Sequence, residues 1–331
     1  MKIAFYYIGN RLSYGNGIVS QALTWKKGLE ELGHEVTLCS CWDFYPLEKY
    51  DAIQIFGFNE GLVDYIKNLS KKNDNIFLSP ILDPDYCLMN ARLRSHYGNY
   101  KIRISSRFSA LRDSRELVKG VLVRSNFEKI YLTQAFGYDE NRCHIVRLPS
   151  GIKPKVPFKD KEPFCLHISF LADERKNVKR LIEASVKYQF RLVLAGGLRN
   201  KKEEEKIDSW IKGHDNVVYR GWITEADKVD LYSRARVFAL PSTIEGVGIV
   251  ALEAACYGAD IVITNLGGPK EYYEDFALQV DPYSIDEIGK AVKRYMNGLT
   301  FQPQLAKFIE ENNSLEAISH KLEIIYNSIR P

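Results

Sequence analysis

Two glutamates, Glu245 and Glu253, stand in the stretch A-L-P-S-T-I-E-G-V-G-I-V-A-L-E-A-A-C-Y-G-A-D that runs from Ala239 to Asp260. The apolar run Val237–Leu240 ends at Pro241 and Ser242, and a loop carrying Glu245, Gly246 and Gly248 follows. Ile249, Leu252, Ala255 and Cys256 then recur at helical spacing until Gly258. The glycines leave the backbone bare where this helix begins. Its first N–H groups have no partner in the helix, and with the helix dipole they favour an anion such as a phosphate. Glu245 precedes that end, whereas Glu253 lies roughly 8 Å along the axis at 1.5 Å per residue. A diphosphate bound there would have a carboxylate on either side, one for the hydroxyls of a sugar and one for those of a ribose. A plainer reading makes Glu245 a helix-start acid and Glu253 a solvated surface residue.

Such a loop needs a strand before it and a strand after, here Val237–Leu240 and Asp260–Ile263. The same alternation runs through the chain and predicts a doubly wound α/β fold. In the first half, strands are expected at Ile3–Ile8, Glu35–Cys39, Ala52–Phe56, Ile76–Leu78, Gly120–Arg124 and His144–Leu148. A helix over Ile18–Leu32 follows the loop Gly9–Gly17, and Ser125 caps another. Lys153–Pro163, rich in proline and charge, reads as a linker. The pattern restarts with strands Cys165–Phe170, Arg191–Ala195 and Val217–Gly221 and with helices Val178–Tyr188, Asn200–Ser209, Glu225–Ala235, Glu287–Tyr295 and Leu315–Ile329. We therefore expect domains over 1–152 and 164–314, a linker over 153–163, and a terminal helix over 315–331 that joins the first domain.

A chain of 331 residues, 45% of them apolar, can fill two such cores. Its six cysteines are scattered, Cys39-Ser40-Cys41 is too tight for an unstrained disulfide, and no zinc spacing occurs. Reduced thiols in a cytoplasmic protein are the expectation. Met1–Ile8 is too short for a secretion signal, and nothing approaches the ~20 apolar residues of a membrane span. The net charge of +4 conceals a local excess. Between Asn90 and Ile130, Arg92, Arg94, Lys101, Arg103, Arg107, Arg112, Arg115, Lys119, Arg124 and Lys129 face only Asp113, Glu116 and Glu128. Phosphate groups, an anionic membrane surface or nucleic acid could meet this excess, unless the bases simply lie on solvated helix faces.

Gly15-Asn16-Gly17 opens a helix as a dinucleotide loop would, but the loop Gly9–Gly15 is too long for that tight turn. The motif P-S-x-x-E-G-x-G-x-x-x-L-E-A-x-x-x-G, from Pro241 to Gly258, instead resembles the donor-site signature of retaining glycosyltransferases of family four. The resemblance extends to G-N-G-I-V-S-Q-A-L from Gly15, to Val123–Phe127, to Val146–Ile152, to Asp173-Glu174-Arg175-Lys176-Asn177 and to Gly267-Gly268-Pro269-Lys270-Glu271. It implies a GT-B fold, two Rossmann-like domains facing each other across a cleft, and transfer of a sugar from a UDP- or GDP-linked donor without a metal or other cofactor. It implies that Glu245 orients the donor sugar, that Glu253 binds the ribose, and that Arg175, Lys176 and the helix start at Gly246, Gly248 and Ile249 stabilise the diphosphate. Gly268 and Glu271 would lie beside the donor, Gly17 would face the cleft, and Trp222 would stack on the base or else fill core.

Three departures qualify the resemblance. Ser169-Phe170 stands where many relatives carry Gly-Arg, Val247 replaces a common phenylalanine, and no histidine follows the fourth strand. Asp83 or Asp85 in that last segment could bind an acceptor hydroxyl, or could cap a turn. Asp83-Pro84-Asp85 matches a metal-binding D-x-D in letters only, because of its central proline. The function expected is retaining, metal-independent transfer to a glycan or lipid-linked glycan, in cell-surface polysaccharide synthesis, in the cytoplasm or at the inner membrane face. The basic stretch Arg92–Lys129 would meet an anionic membrane, and nucleic acid is not expected as a partner. Two alternatives are a nucleotide-sugar epimerase of the same fold and a silent nucleotide-sugar or polyanion binding protein.

Overall fold

The computed structural model describes residues 1–8, 17–40, 42–154 and 156–328. Gly15 and Asn16 of the first glycine loop, and Cys41, lie outside them. The chain divides into two compact units, Met1–Pro149 with Leu315–Pro331, and Ser150–Ser314.

The first unit holds strands β1 (Lys2–Tyr7), β2 (Glu35–Leu38), β3 (Ala52–Phe56), β4 (Ile76–Ser79), β5 (Gly120–Val123) and β6 (Cys143–Ile145). They form one parallel sheet in the order β2-β1-β3-β4-β5-β6. β3, β4 and β5 are buried along their whole length, as parallel strands covered on both faces should be. The helix Leu315–Asn327 returns to this unit against the helix Gly17–Glu31. They meet at Gly28, where a Cβ would fall 1.9 Å from Ser319 Oγ. Farther along, the Tyr326 hydroxyl donates to Gln54 Oε1 at 3.0 Å, and its ring packs edge-on to Phe77.

Two helices between β4 and β5, Leu88–Tyr97 and Ser106–Asp113, escape the sequence pattern. The reason is physical: Met89, Leu93 and Tyr97, the residues that would mark an inward face, point to solvent. Part of the basic stretch is also corrected. Arg124 is buried, not solvated; its guanidinium bonds Glu128 Oε2 at 3.1 Å, the Leu82 carbonyl at 2.8 Å and Asp83 Oδ1 at 2.7 Å. Glu128 is buried with it and accepts the backbone N–H of Leu82 and of Arg124. Burial opposes the charge on Arg124, but the two carboxylates outweigh it and hold the guanidinium protonated.

The second unit holds β7 (Glu162–Ile168), β8 (Arg191–Ala195), β9 (Val217–Tyr219), β10 (Ala235–Leu240), β11 (Asp260–Thr264) and β12 (Leu278–Val280). β7 begins inside the segment read as linker, where Arg234 grips Glu162 with bonds of 2.6 and 3.1 Å. The sheet is parallel, ordered β12-β11-β10-β7-β8-β9. The chain thus winds outward from β7 in one direction, then returns to β10 and winds in the other. At such a switch point the loops after the two middle strands diverge and leave a crevice at their C-terminal ends.

Candidate active site at the second sheet's switch point

The loops after β7 and β10 are stitched together before either presents a charge. Asp173 caps the 3-10 turn Glu174–Lys176 by accepting the amide of Arg175 at 3.0 Å. Asn177 follows in the left-handed region at φ 59°, which a short polar side chain tolerates better than most. Its buried Nδ2 donates to the carbonyls of Pro241 at 2.9 Å and Pro282 at 2.6 Å. The Thr243 amide donates to the Arg175 carbonyl at 2.8 Å.

This stitching brings together Lys176 and Glu245, whose Nζ and Oε2 are 2.6 Å apart. The buried Ser242 hydroxyl donates to the same carboxylate oxygen at 3.3 Å. Arg175 is differently engaged: its guanidinium bonds Asp173 at 2.6 to 3.2 Å, and that hydrogen bond holds the Asp173 carboxyl below its ordinary range.

Gly248 caps the helix Ile249–Cys256 at φ 75°. A side chain there would be strained by that φ and would set its Cβ 2.7 Å from Leu240 Cδ2. Gly246 and Ile249 flank the turn, half-buried. Glu253, one turn into the helix, is neither solvated nor alone. Tyr232 donates its hydroxyl to Glu253 Oε2 at 3.1 Å, and Lys228 Nζ lies 3.3 Å from the same atom and 2.8 Å from Glu225. Burial raises the Glu253 carboxyl above its ordinary value, against the pull of Lys228 and Tyr232. For Lys228, burial works against the charge, and Glu225 and Glu253 outweigh it. Tyr232 and Lys228 both contact Glu253 at Oε2.

Trp222 is 76% exposed and so fills no core; a Cβ on Gly197 would approach its indole at 3.7 Å. Phe170, also exposed, lies under the Arg199 guanidinium at 5.5 Å, a pairing that sequence reading missed. Gly268 and Glu271 lie at and within the short turn Pro269–Tyr272 after β11, the neighbour of β10. In the first unit, Gly17 starts its helix exposed, Asp83 is held by Arg124, and Asp85 is exposed. Sequence reading also missed Asn177 as a clamp, Tyr232 and Lys228 on Glu253, and His167. The last is fully buried on β7, with Nδ1 2.8 Å from the Ala239 carbonyl and Nε2 2.7 Å from Ser169 Oγ. Asn177 stands in a motif that carries no sign of its clamp, and no motif marks the other three, because each matters through a partner distant in sequence.

Residues 151–315 match the sequence family described as glycosyl transferases group 1. The chain is 26% identical over 213 residues to the O-antigen chain mannosyltransferase B of Escherichia coli, covering 57% of this chain and 54% of that one. It spans about half the length of the curated relatives it matches. Among solved structures, sucrose-phosphate synthase from Thermosynechococcus elongatus aligns with a TM-score of 0.72 at 17% identity, over 99% of this chain and 98% of that one. Alr3699/HepE of Anabaena, solved with UDP and glucose, aligns with a TM-score of 0.71 at 16% identity, over 99% and 100%. These likenesses establish the GT-B fold, with its two Rossmann-like sheets.

Proposed function

We propose, since residues 151–315 belong to the glycosyl transferases group 1 family, that the chain transfers a sugar from a nucleoside-diphosphate sugar to a glycan or lipid-linked glycan. The transfer would retain the anomeric configuration and serve cell-surface polysaccharide synthesis. The observation that carries this reading is the 2.6 Å contact of Lys176 with Glu245 beside the helix start at Gly248. In such a donor the diphosphate lies between two sets of hydroxyls, and Lys176 would meet that diphosphate beside the carboxylate of Glu245. Glu245 would hold the sugar and Glu253, through Oε1, the ribose. Trp222 would offer a face to the base, with Gly246, Gly248, Ile249, Gly268 and Glu271 shaping the donor's surroundings.

Donor phosphate would exchange places with Glu245 on the Lys176 ammonium. As the glycosidic bond breaks, its electron pair stays on the phosphate oxygen. Lys176, Arg175 and the helix N–H groups would stabilise that growing charge. The reading needs no metal or other cofactor. Asp83 is already engaged by Arg124, so of the two Asp85 would be the one to bind an acceptor hydroxyl. Relatives named for O-antigen synthesis support a polysaccharide acceptor. Among the described residues no helix is long and apolar enough to cross a membrane. We place the enzyme in the cytoplasm, attracted to anionic lipid by the exposed bases of the Arg92–Lys129 stretch.

The deciding experiment incubates the protein with a panel of UDP- and GDP-sugars, with and without glycan acceptors and a chelator. Chelator-resistant transfer with retained configuration supports the reading. Donor epimerised without acceptor makes it an epimerase, and donor bound but never consumed makes it a binding protein. Activity abolished by the chelator and restored by magnesium overturns metal independence.

A further inference from the structure

The helix Leu88–Tyr97 turns an apolar stripe outward. Met89, Leu93 and Tyr97, four apart and so on one face, are 51–72% exposed, as are Ile102 and Ile104 in the turn that follows. This exposure is held in place by the fold. On the other side of the helix Ala91 and Ser95 are buried, Arg112 binds the carbonyls of Ser95 and His96, and Arg94 stacks on Phe108 at 5.5 Å. Asn99 and Ile104 exchange backbone hydrogen bonds of 2.7 and 3.0 Å, and the Lys101 amide donates to Asn99 Oδ1 at 3.0 Å. Arg103 and Ser105 take left-handed conformations, φ 59° and 43°. The turn thus fixes Ile102 at its tip between Lys101 and Arg103.

Single exposed apolar residues need no explanation, but a cluster held outward marks an interaction surface. Charge decides the occupant. From Tyr86 to Arg112 the chain has no Asp or Glu, while Arg92, Arg94, Lys101, Arg103 and Arg107 are all exposed. A second copy of this chain would set these cations against one another. Nucleic acid would meet the cations and leave the stripe in water. An anionic bilayer satisfies both, with phosphates for the bases and acyl chains for the apolar residues.

We infer that this patch inserts Met89, Leu93, Tyr97, Ile102 and Ile104 into the interface of an anionic bilayer. The inference rests on the reading of the basic stretch as a surface attracted to anionic lipid, and adds apolar penetration to it. The test measures partition of the whole protein onto phosphatidylcholine vesicles with and without phosphatidylglycerol, at low and high salt. Wild type should bind anionic vesicles with a component that survives salt. Leu93→Ser with Ile102→Ser should lower partition on the order of tenfold and abolish that component, with melting temperature and donor binding unchanged. Independently, Ile102→Trp should add fluorescence that shifts to the blue on vesicles and is quenched by brominated acyl chains. Salt-sensitive binding with wild-type partition in the serine variant and no quenching overturns insertion and leaves the electrostatic reading standing. No vesicle binding at all overturns both, while transfer assays still judge the proposed enzyme. A dimer in lipid-free solution that the serine pair dissolves, or oligonucleotide binding that displaces the vesicles, overturns the assignment to lipid.

Discussion

Lys176 Nζ lies 2.6 Å from Glu245 Oε2, although 69 residues separate them. Both side chains are mostly buried, so their attraction is screened less than that of an exposed pair. The pair neutralises two charges that a donor would need separately, the cation for phosphate and the carboxylate for sugar hydroxyls. A bound donor would replace one strong contact by two.

Lys176→Ala should therefore reduce turnover more than substrate affinity, by about 2.7–4 kcal/mol of barrier, the usual effect of losing one preorganised donor to a growing anion. Glu245→Ala should also lower turnover, but free nucleoside diphosphate should bind as well as before, since Lys176 is then released to it. Titration calorimetry with UDP and GDP, beside steady-state kinetics, checks both. An equal loss of diphosphate affinity in the two variants would refute this division of roles.

Glu253 carries a pH signature. Its carboxyl is raised by burial above the ordinary 4.5. In the window between that value and its own, the folded protein holds a proton that the unfolded chain has released. Glu253 then contributes stability at acid pH that is lost as pH rises through the window. Ribose hydroxyls want the ionised form, so nucleotide affinity should begin to fall on acidification while an ordinary glutamate is still charged. Glu253→Gln should weaken nucleotide binding and flatten that dependence, and Tyr232→Phe should move its midpoint upward. Unchanged binding profiles in all three proteins would remove Glu253 from the site.

Asn177 is predicted to be a positioning residue. Asn177→Ala deletes two buried donors and leaves two proline carbonyls unsatisfied, at an expected loss of about 2–4 kcal/mol of stability. Because the clamp aligns Lys176 with Glu245, turnover should fall further than the population of folded protein, measured by chemical denaturation, accounts for. Wild-type turnover per folded molecule would show that the clamp is only structural.

His167 is held neutral: burial lowers its value to about 4, from 6.5 for an ordinary histidine. Between pH 6.5 and 4 the unfolded chain binds a proton that the folded one refuses. Stability should thus be complete above pH 6.5 and fall on acidification by up to about 3 kcal/mol. His167→Asn keeps a donor for the Ala239 carbonyl and cannot protonate. Urea melts at pH 7 and pH 5 should show a smaller drop for this variant than for wild type.

Much of the architecture was legible in the chain alone. Buried parallel strands such as Ile76–Leu78 and Ile261–Ile263 are continuous apolar runs, and the glycines around Glu245 mark a strand-to-helix turn. Where apolar residues do not face a core the pattern failed, as in helix Leu88–Tyr97. Very short elements such as β12 also escaped, because three residues are too few to establish a period.

By itself the sequence determined two α/β halves and the loops here proposed to carry a nucleotide-sugar site, since strand burial, glycine freedom and helix periodicity act over a few neighbouring residues. Tertiary structure alone decided that Lys176 meets Glu245, that Tyr232 and Lys228 hold Glu253, that Arg124 turns inward to Glu128, and that Ile102 stands in solvent. Each of these depends on which strands become neighbours and which helix faces they cover. Local preference carries no record of that order, because an ion pair across a switch point requires both loops to be folded before either charge finds its partner.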